Sequence, residues 1–187
     1  MAVAVGRSGP QRVLIALLAC VAAAVPASAA SAATPWTRCS KAAGNTAAGQ
    51  AGLPRALDAD PVLRRIFGTT RPPSAVYKTP RTSLCGDFDG DGHADRALLY
   101  ECCTVSSPAP WVVLRRRGSA WQIAYRRLHD TTFKLEGKGA RLITTEPRYA
   151  HNDANCCPSR LRIGTLRWTG SSFKRTFRIV KAKNPGG

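Results

Sequence analysis

The chain has 187 residues and sets 28 Lys and Arg against 11 Asp and Glu, a formal charge of +17. That length suits one domain with one core rather than a multidomain assembly. Such a charge attracts polyanions such as nucleic acid, anionic lipid or acidic wall polymers, although solubility or export-related composition bias is the preferred explanation over a dedicated polyanion site. Neither a terminal lysine run nor a recognisable nucleic-acid module is present.

Residues 1–30 read as a signal peptide. Arg7 and Arg12 precede an apolar run, Val13 to Val25, and then the small residues "PASAASAA", which is the order of a secretory leader. The run is shorter than the roughly 20 apolar residues of a membrane span, and no later stretch approaches that length. Small residues at minus three and minus one place the mature start near Ala30 or Ala33. The expected location is therefore secreted, or extracellular. Leu17-Leu18-Ala19-Cys20 loosely matches a lipid-attachment box, so an anchor at Cys20 is the alternative, but the apolar run continues past that cysteine. Of the 28 cations, 26 remain after Arg7 and Arg12 are removed; against 11 acids the charge is +15.

Six cysteines follow the leader: Cys39, Cys85 and two doublets, Cys102-Cys103 and Cys156-Cys157. An even count in an exported chain reads as disulfides. Neighbouring Cα atoms stand about 3.8 Å apart while disulfides favour about 4.4–6.8 Å, so the doublets are expected to seek partners elsewhere. On strands each would send its two sulfurs to opposite faces. At least one bridge between the doublets is expected, with Cys39 and Cys85 each paired. Zinc is the alternative, without a C-x-x-C pair to support it.

Residues 31–52 form an Ala-, Gly-, Ser- and Thr-rich flexible arm with Trp36 and Cys39 as anchors. In "LDADPVLRRIFG", Asp60 is placed to cap a short helix, Pro61 suits its first position and Gly68 can end it. Val62, Leu63, Ile66 and Phe67 share one face, leaving Arg64 and Arg65 outward. "TTRPPSAVYKTPRTS" is an extended connector. Period-two alternation then predicts strands near 95–102, 111–117, 121–128, 132–136, 140–146, 160–168 and 173–180. Short links between them imply an antiparallel meander. Residues 53–187 are thus expected to form one mainly β domain, a small disulfide-stapled sheet structure with a short N-terminal helix.

"LRRRGSAWQ" from Leu114 and "LRWTGSSFK" from Leu166 share spacing and begin 52 residues apart, each after a cysteine doublet. They read as a degenerate repeat of doublet, strand, Gly-Ser turn and strand.

Most specific is the acidic loop 87–95. Asp87, Asp89, Asp91 and Asp95 occupy its positions 1, 3, 5 and 9, with Gly92 at 6 and His93 at 7. Carboxylates a few ångströms apart repel by about 1–4 kcal/mol per pair at surface-like dielectric, so four of them call for a cation. Side-chain oxygens of the four aspartates and the main-chain oxygen of His93 form a ligand set for a hard ion, and Ca²⁺ tolerates such a shell better than Mg²⁺. An EF-hand would need Glu at position 12, which is Leu98 here, and a helix where "RALLY" reads as a strand.

The stretch "GDFDGDGHADRALL", 86–99, instead resembles the FG-GAP or VCBS type repeat of integrin α-like propellers. The resemblance implies a structural Ca²⁺ in a turn between strands. A full propeller is not expected, because only one such loop occurs in a chain too short for a ring. The segment "NDANCCPSRLRIGTLRWTGSSF", 152–173, resembles secreted proteins and lipoproteins of the LppP/LprE type in actinobacteria, which implies export but no stated activity.

Catalytic motifs are weak. His93 lies in the loop, His129 adjoins Asp130, and His151 lies near Asp153; each reads as a surface histidine. Trp111, Trp121 and Trp168 fall on strands and read as core. Arg115, Arg116 and Arg117 form a basic cluster of which alternation exposes at least one. The expected function is that of a secreted, non-catalytic, calcium-stabilised binding or cell-envelope module, its partner an anionic polymer or cell-wall component. The alternative is a metal-dependent hydrolase such as a nuclease using His151 or His129.

Overall fold

Alternating apolar residues in the second half of the chain need a partner surface, and each strand finds it in its sequence neighbour. The computed structural model describes residues 32–40, 50–67, 80–100, 109–154 and 156–183. Among them, β1 (Thr37–Arg38), β2 (Pro80–Gly86), β3 (Asp95–Tyr100), β4 (Trp111–Arg117) and β5 (Ala120–Arg127) form one antiparallel sheet. The second contains β6 (Lys134–Lys138), β7 (Arg141–Arg148), β8 (Arg160–Trp168) and β9 (Phe173–Lys181). In both, spatial order follows chain order. The structure is a pair of meanders and neither a closed barrel nor a propeller.

All seven expected strands form. Two were missed. The first, β2, begins at Pro80, a position that tolerates proline because a first strand residue need not donate to the ladder; the neighbouring prolines made this stretch read as connector. The second, β1, is two residues long and exists through its pairing with Leu84 and Cys85.

A helix also precedes the expected one. α1 (Leu53–Ala59) starts with Pro54 in its first turn, and α2 (Pro61–Phe67) follows directly. Asp60 caps α2 as its position suggested: Oδ1 accepts from the N–H groups of Val62 and Leu63 at 3.0 and 2.9 Å. Arg126 donates to the other Asp60 oxygen at 2.9 Å and ties the helices to β5.

Alternation divides the first sheet between two neighbours. Leu98, Tyr100, Val112, Leu114 and Trp121 pack against Leu53, Leu57 and Leu63 of the helices. Ala97, Leu99, Trp111 and Val113 face the second sheet and meet Leu135, Leu142 and Leu166. β3 is therefore buried along its whole length, its alternate side chains serving the helices on one face and the second sheet on the other.

The look-alike hairpins occupy the same place in the two sheets, linking third to fourth strand of each four-strand run: β4–β5 and β8–β9. Facing is preserved as well. Leu114 looks toward the helices, and Leu166 looks toward the first sheet. The molecule is thus two like units stacked in one direction, with the helices covering the first unit as the first unit covers the second.

Residues 32–40 of the expected arm tie the stack. Trp36 is 4% exposed within the inter-sheet core, and its main-chain N–H donates to the Gly139 carbonyl at 2.9 Å. Cys39 bridges Cys85, with Cα atoms 4.9 Å apart. The bridge expected between the doublets needs Cys102 or Cys103; the sulfurs of Cys156 and Cys157 lie beside each other. Their segment is a turn between β7 and β8 rather than a strand, so the alternation that would separate the two sulfurs is absent. Cys102 and Cys103, the segment 1–30 expected to be a leader, and Cys20 lie outside the described residues.

Gly137 on β6 is where Trp36 crosses. A Cβ at that position would overlap the Trp36 carbonyl oxygen and Cβ. Gly137→Ala is expected to cost about 1–3 kcal/mol, as forced overpacking does, read as a lower urea midpoint at unchanged m-value.

Candidate functional site

The acidic loop leaves β2 at Gly86 and enters β3 at Asp95. Its turn requires positive φ at Gly90 (74°) and Gly92 (83°), a region that glycine enters without steric cost. Asp87 organises the turn: Oδ1 accepts from the N–H of Gly90 at 2.7 Å and of Asp91 at 3.2 Å, and Oδ2 from that of Gly92 at 2.8 Å. Its own N–H donates to Thr34 Oγ1 at 2.8 Å, so the N-terminal segment holds the loop from outside. Asp95 is fully buried and accepts from the N–H groups of Phe88 and Arg116 at 3.0 and 2.8 Å.

Asp87, Asp89 and Asp95 each bring an oxygen to within 4.8 Å of the other two, and this is the only such group of metal-ligating side chains among the described residues. Asp91 and His93 stand outside that trio. Asp91 Oδ1 accepts from the His93 N–H at 2.9 Å, and both residues are exposed. Arg115 reaches in from β4, pairs with Asp89, comes within 3.8 Å of Asp91 and rests over the Trp168 ring. Burial pushes the Asp95 carboxyl up to about 7, against the pull of its two N–H donors. Burial, then the Asp91 charge, also raises Asp89, while Arg115 opposes the rise.

The histidines do not converge on the carboxylates beside them. His129 is exposed whereas Asp130 is buried, so adjacent residues point into different surroundings. His151 is exposed, and Asp153 is occupied by the N–H groups of Ala150 and Ser159 at 2.6 and 2.8 Å. These hydrogen bonds hold the Asp153 carboxyl below its ordinary range. Trp36, Trp111 and Trp121 are core residues, and Trp168 packs edge-on against Phe88 and Phe173. Of the three-arginine run, Arg115 turns to the loop and Arg117 is exposed.

One constellation was missed by sequence reasoning. Between the sheets, Arg175 of β9 donates to Asp130 Oδ2 at 2.6 Å and to Thr144 Oγ1 at 2.9 Å, and pairs with Glu146. Arg162, directly opposite Glu146, takes its other oxygen at 2.8 Å through Nε. Arg127 clamps Asp130 with contacts of 2.8–3.1 Å. Arg175 also lies over Trp111 and Phe177, 5.4 and 4.6 Å from their ring centres. The available signal was parity: Glu146 follows Leu142 and Thr144 on the inward side of β7, and Arg175 follows Phe173 on that of β9. A charge at an inward position needs a partner.

Burial alone would raise the Asp130 carboxyl, but hydrogen bonds from Arg127 and Arg175 outweigh it and hold the group below its ordinary range. The unfolded chain, with the ordinary value near 3.9, then binds the proton more readily than the fold. The stabilisation from Asp130 is present in full above that value and is lost as pH falls toward the folded value. Asp130→Asn should flatten the acid limb of stability between about pH 5 and 2, followed by urea unfolding. Glu146→Gln, which leaves Arg175 and Arg162 short of a buried anion, should cost about 3–5 kcal/mol at neutral pH.

No family model, curated protein or solved structure gives a significant match to this chain.

Proposed function

We propose that this chain is an exported, non-catalytic β domain, braced by Ca²⁺ at the loop 87–95, that works by binding anionic polymer. The observation that carries the reading is how its charges are divided. Each of the ten acidic side chains among the described residues has an interaction within the chain, nine of them with a backbone N–H, a guanidinium or a lysine. The surplus cations are left to set the outward field, which attracts polyanions and speeds their encounter. Catalysis by His151 or His129 would need a neighbouring acid or metal, and Asp130 and Asp153 are already committed elsewhere.

The metal part of the reading rests on donor chemistry. Asp87, Asp89 and Asp95 would hold the ion, with Asp91 and the His93 carbonyl closing the shell; all are hard oxygen donors, which suit Ca²⁺ better than softer metals. Bound there, the ion supplies charge neutralisation and joins β2 to β3. Export rests on the leader at 1–30, and the Cys39–Cys85 bridge is compatible with an oxidising compartment. No helix among the described residues is long and apolar enough to cross a membrane.

Chelator-treated protein should gain about 2.7 kcal/mol of unfolding free energy when Ca²⁺ is supplied at 100 times its dissociation constant. Asp89→Asn should remove that gain. A melting curve indifferent to Ca²⁺ sinks the metal assignment. Metal-dependent cleavage of nucleic acid that is abolished by His151→Ala would replace the binding reading with the hydrolase.

A further inference from the structure

Strand register builds one feature on the outward face of the second sheet that no single segment contains. Lys138 stands opposite Arg141, Arg141 opposite Arg167, and Arg167 opposite Lys174. One basic residue from each of β6, β7, β8 and β9 therefore falls in a single cross-strand row, and all four are exposed. At a strand spacing of about 4.8 Å the row is about 14 Å long. In the adjoining row Thr165 and Thr176 are direct partners. Arg141, Arg167, Lys174 and the two threonines line a shallow depression of about 260 Å³.

This arrangement works against the fold that carries it. Like charges placed directly opposite destabilise a sheet, and here three successive pairings are cation against cation. No carboxylate among the described residues pairs with any of the four. Glu136, in the adjoining row on that face, is held by Lys134 at 3.0 Å. An end surface that served solubility alone would intersperse both signs, whereas this row has one.

We propose that the row is a binding site for an acidic polysaccharide whose charges are phosphate or sulfate esters, lying across the strands. The two guanidinium forks suit tetrahedral oxyanions, and the threonine hydroxyls can donate to ester or sugar oxygens. No aromatic side chain projects from this face of β6–β9, so there is no stacking platform of the kind that holds single-stranded nucleic acid. The exposed Phe177 and Ile179 belong to the opposite face of β9, with Arg175. The apolar residues on the outward face, such as Ile143 and Ile163, are half-buried within the sheet, so a lipid surface would meet exposed charge here without an exposed apolar side chain to insert.

The inference deepens the binding-module reading and can fail separately from it. The test follows the protein binding labelled dextran sulfate by fluorescence anisotropy across 0.05–0.3 M NaCl. About four neutralised charges should give a slope of log K against log salt near −3. Arg141→Gln/Arg167→Gln should weaken binding by about tenfold or more at 0.1 M salt and roughly halve the slope. Arg64→Gln/Arg65→Gln removes the same net charge from exposed positions on α2 and should leave affinity within about twofold. The Arg64/Arg65 variant should keep the wild-type urea midpoint, and the Arg141/Arg167 variant, relieved of like-charge pairing, should match or exceed it. Equal weakening by the two pairs would mean that net charge alone binds, and would overturn the row. Tighter, row-dependent binding of an oligothymidylate strand or of anionic phospholipid vesicles would overturn the polysaccharide. If no polyanion binds, the binding-module reading itself fails; if binding survives loss of the row, only the site assignment does.

Discussion

The two sheets close on a guanidinium. The Arg175 side chain is 7% exposed and lies where an apolar side chain would be expected, and removing such a charge from water costs several kcal/mol before any compensation. Compensation comes from three directions: Asp130 from the β5–β6 link, Glu146 and Thr144 from β7, and the faces of Trp111 and Phe177. Because those groups belong to both sheets and to the link between them, the charge can be satisfied only when the units are stacked in one relative position. An apolar interface tolerates sliding far better than a forked donor with assigned acceptors.

That fixed stacking divides the remaining surface. One end is covered by α1 and α2, whose leucines fill the face of the first sheet. The other end, the outward face of β6–β9, carries the cationic row. A stacked-unit protein needs a polar outer layer at its exposed end, and this chain places a row of one sign of charge in that layer. The internal commitments of the carboxylates follow the same logic: acids are drawn inward to neutralise buried arginines and to organise turns, so the outward surplus of cations results from folding as well as from composition.

The acidic loop sits where these features meet. Thr34 holds Asp87, the β4 backbone holds Asp95 through the Arg116 N–H, and Arg115 bridges from the loop to Trp168 of the second unit. It therefore joins the N-terminal segment, the first sheet and the second sheet at one edge. Its carboxylates meet an internal guanidinium, which tempers their mutual repulsion in the protein itself.

Local chemistry was legible in the residues. Period-two alternation located the strands β3–β9, Asp60 before Pro61 located the cap of α2, and the spacing of Asp87 to Asp95 located a tight acidic turn entering a strand. Such features depend on neighbours a few positions apart, where dihedral preference and side-chain reach decide the outcome. The tertiary structure alone decided which charges became interior and which outward charges became neighbours. Arg175 and Asp130 lie 45 residues apart, and Lys138, Arg141, Arg167 and Lys174 come from four strands. Their juxtaposition is a property of register, and register is set by the packing of the buried face: a shift of one residue would turn every one of these side chains to the other side.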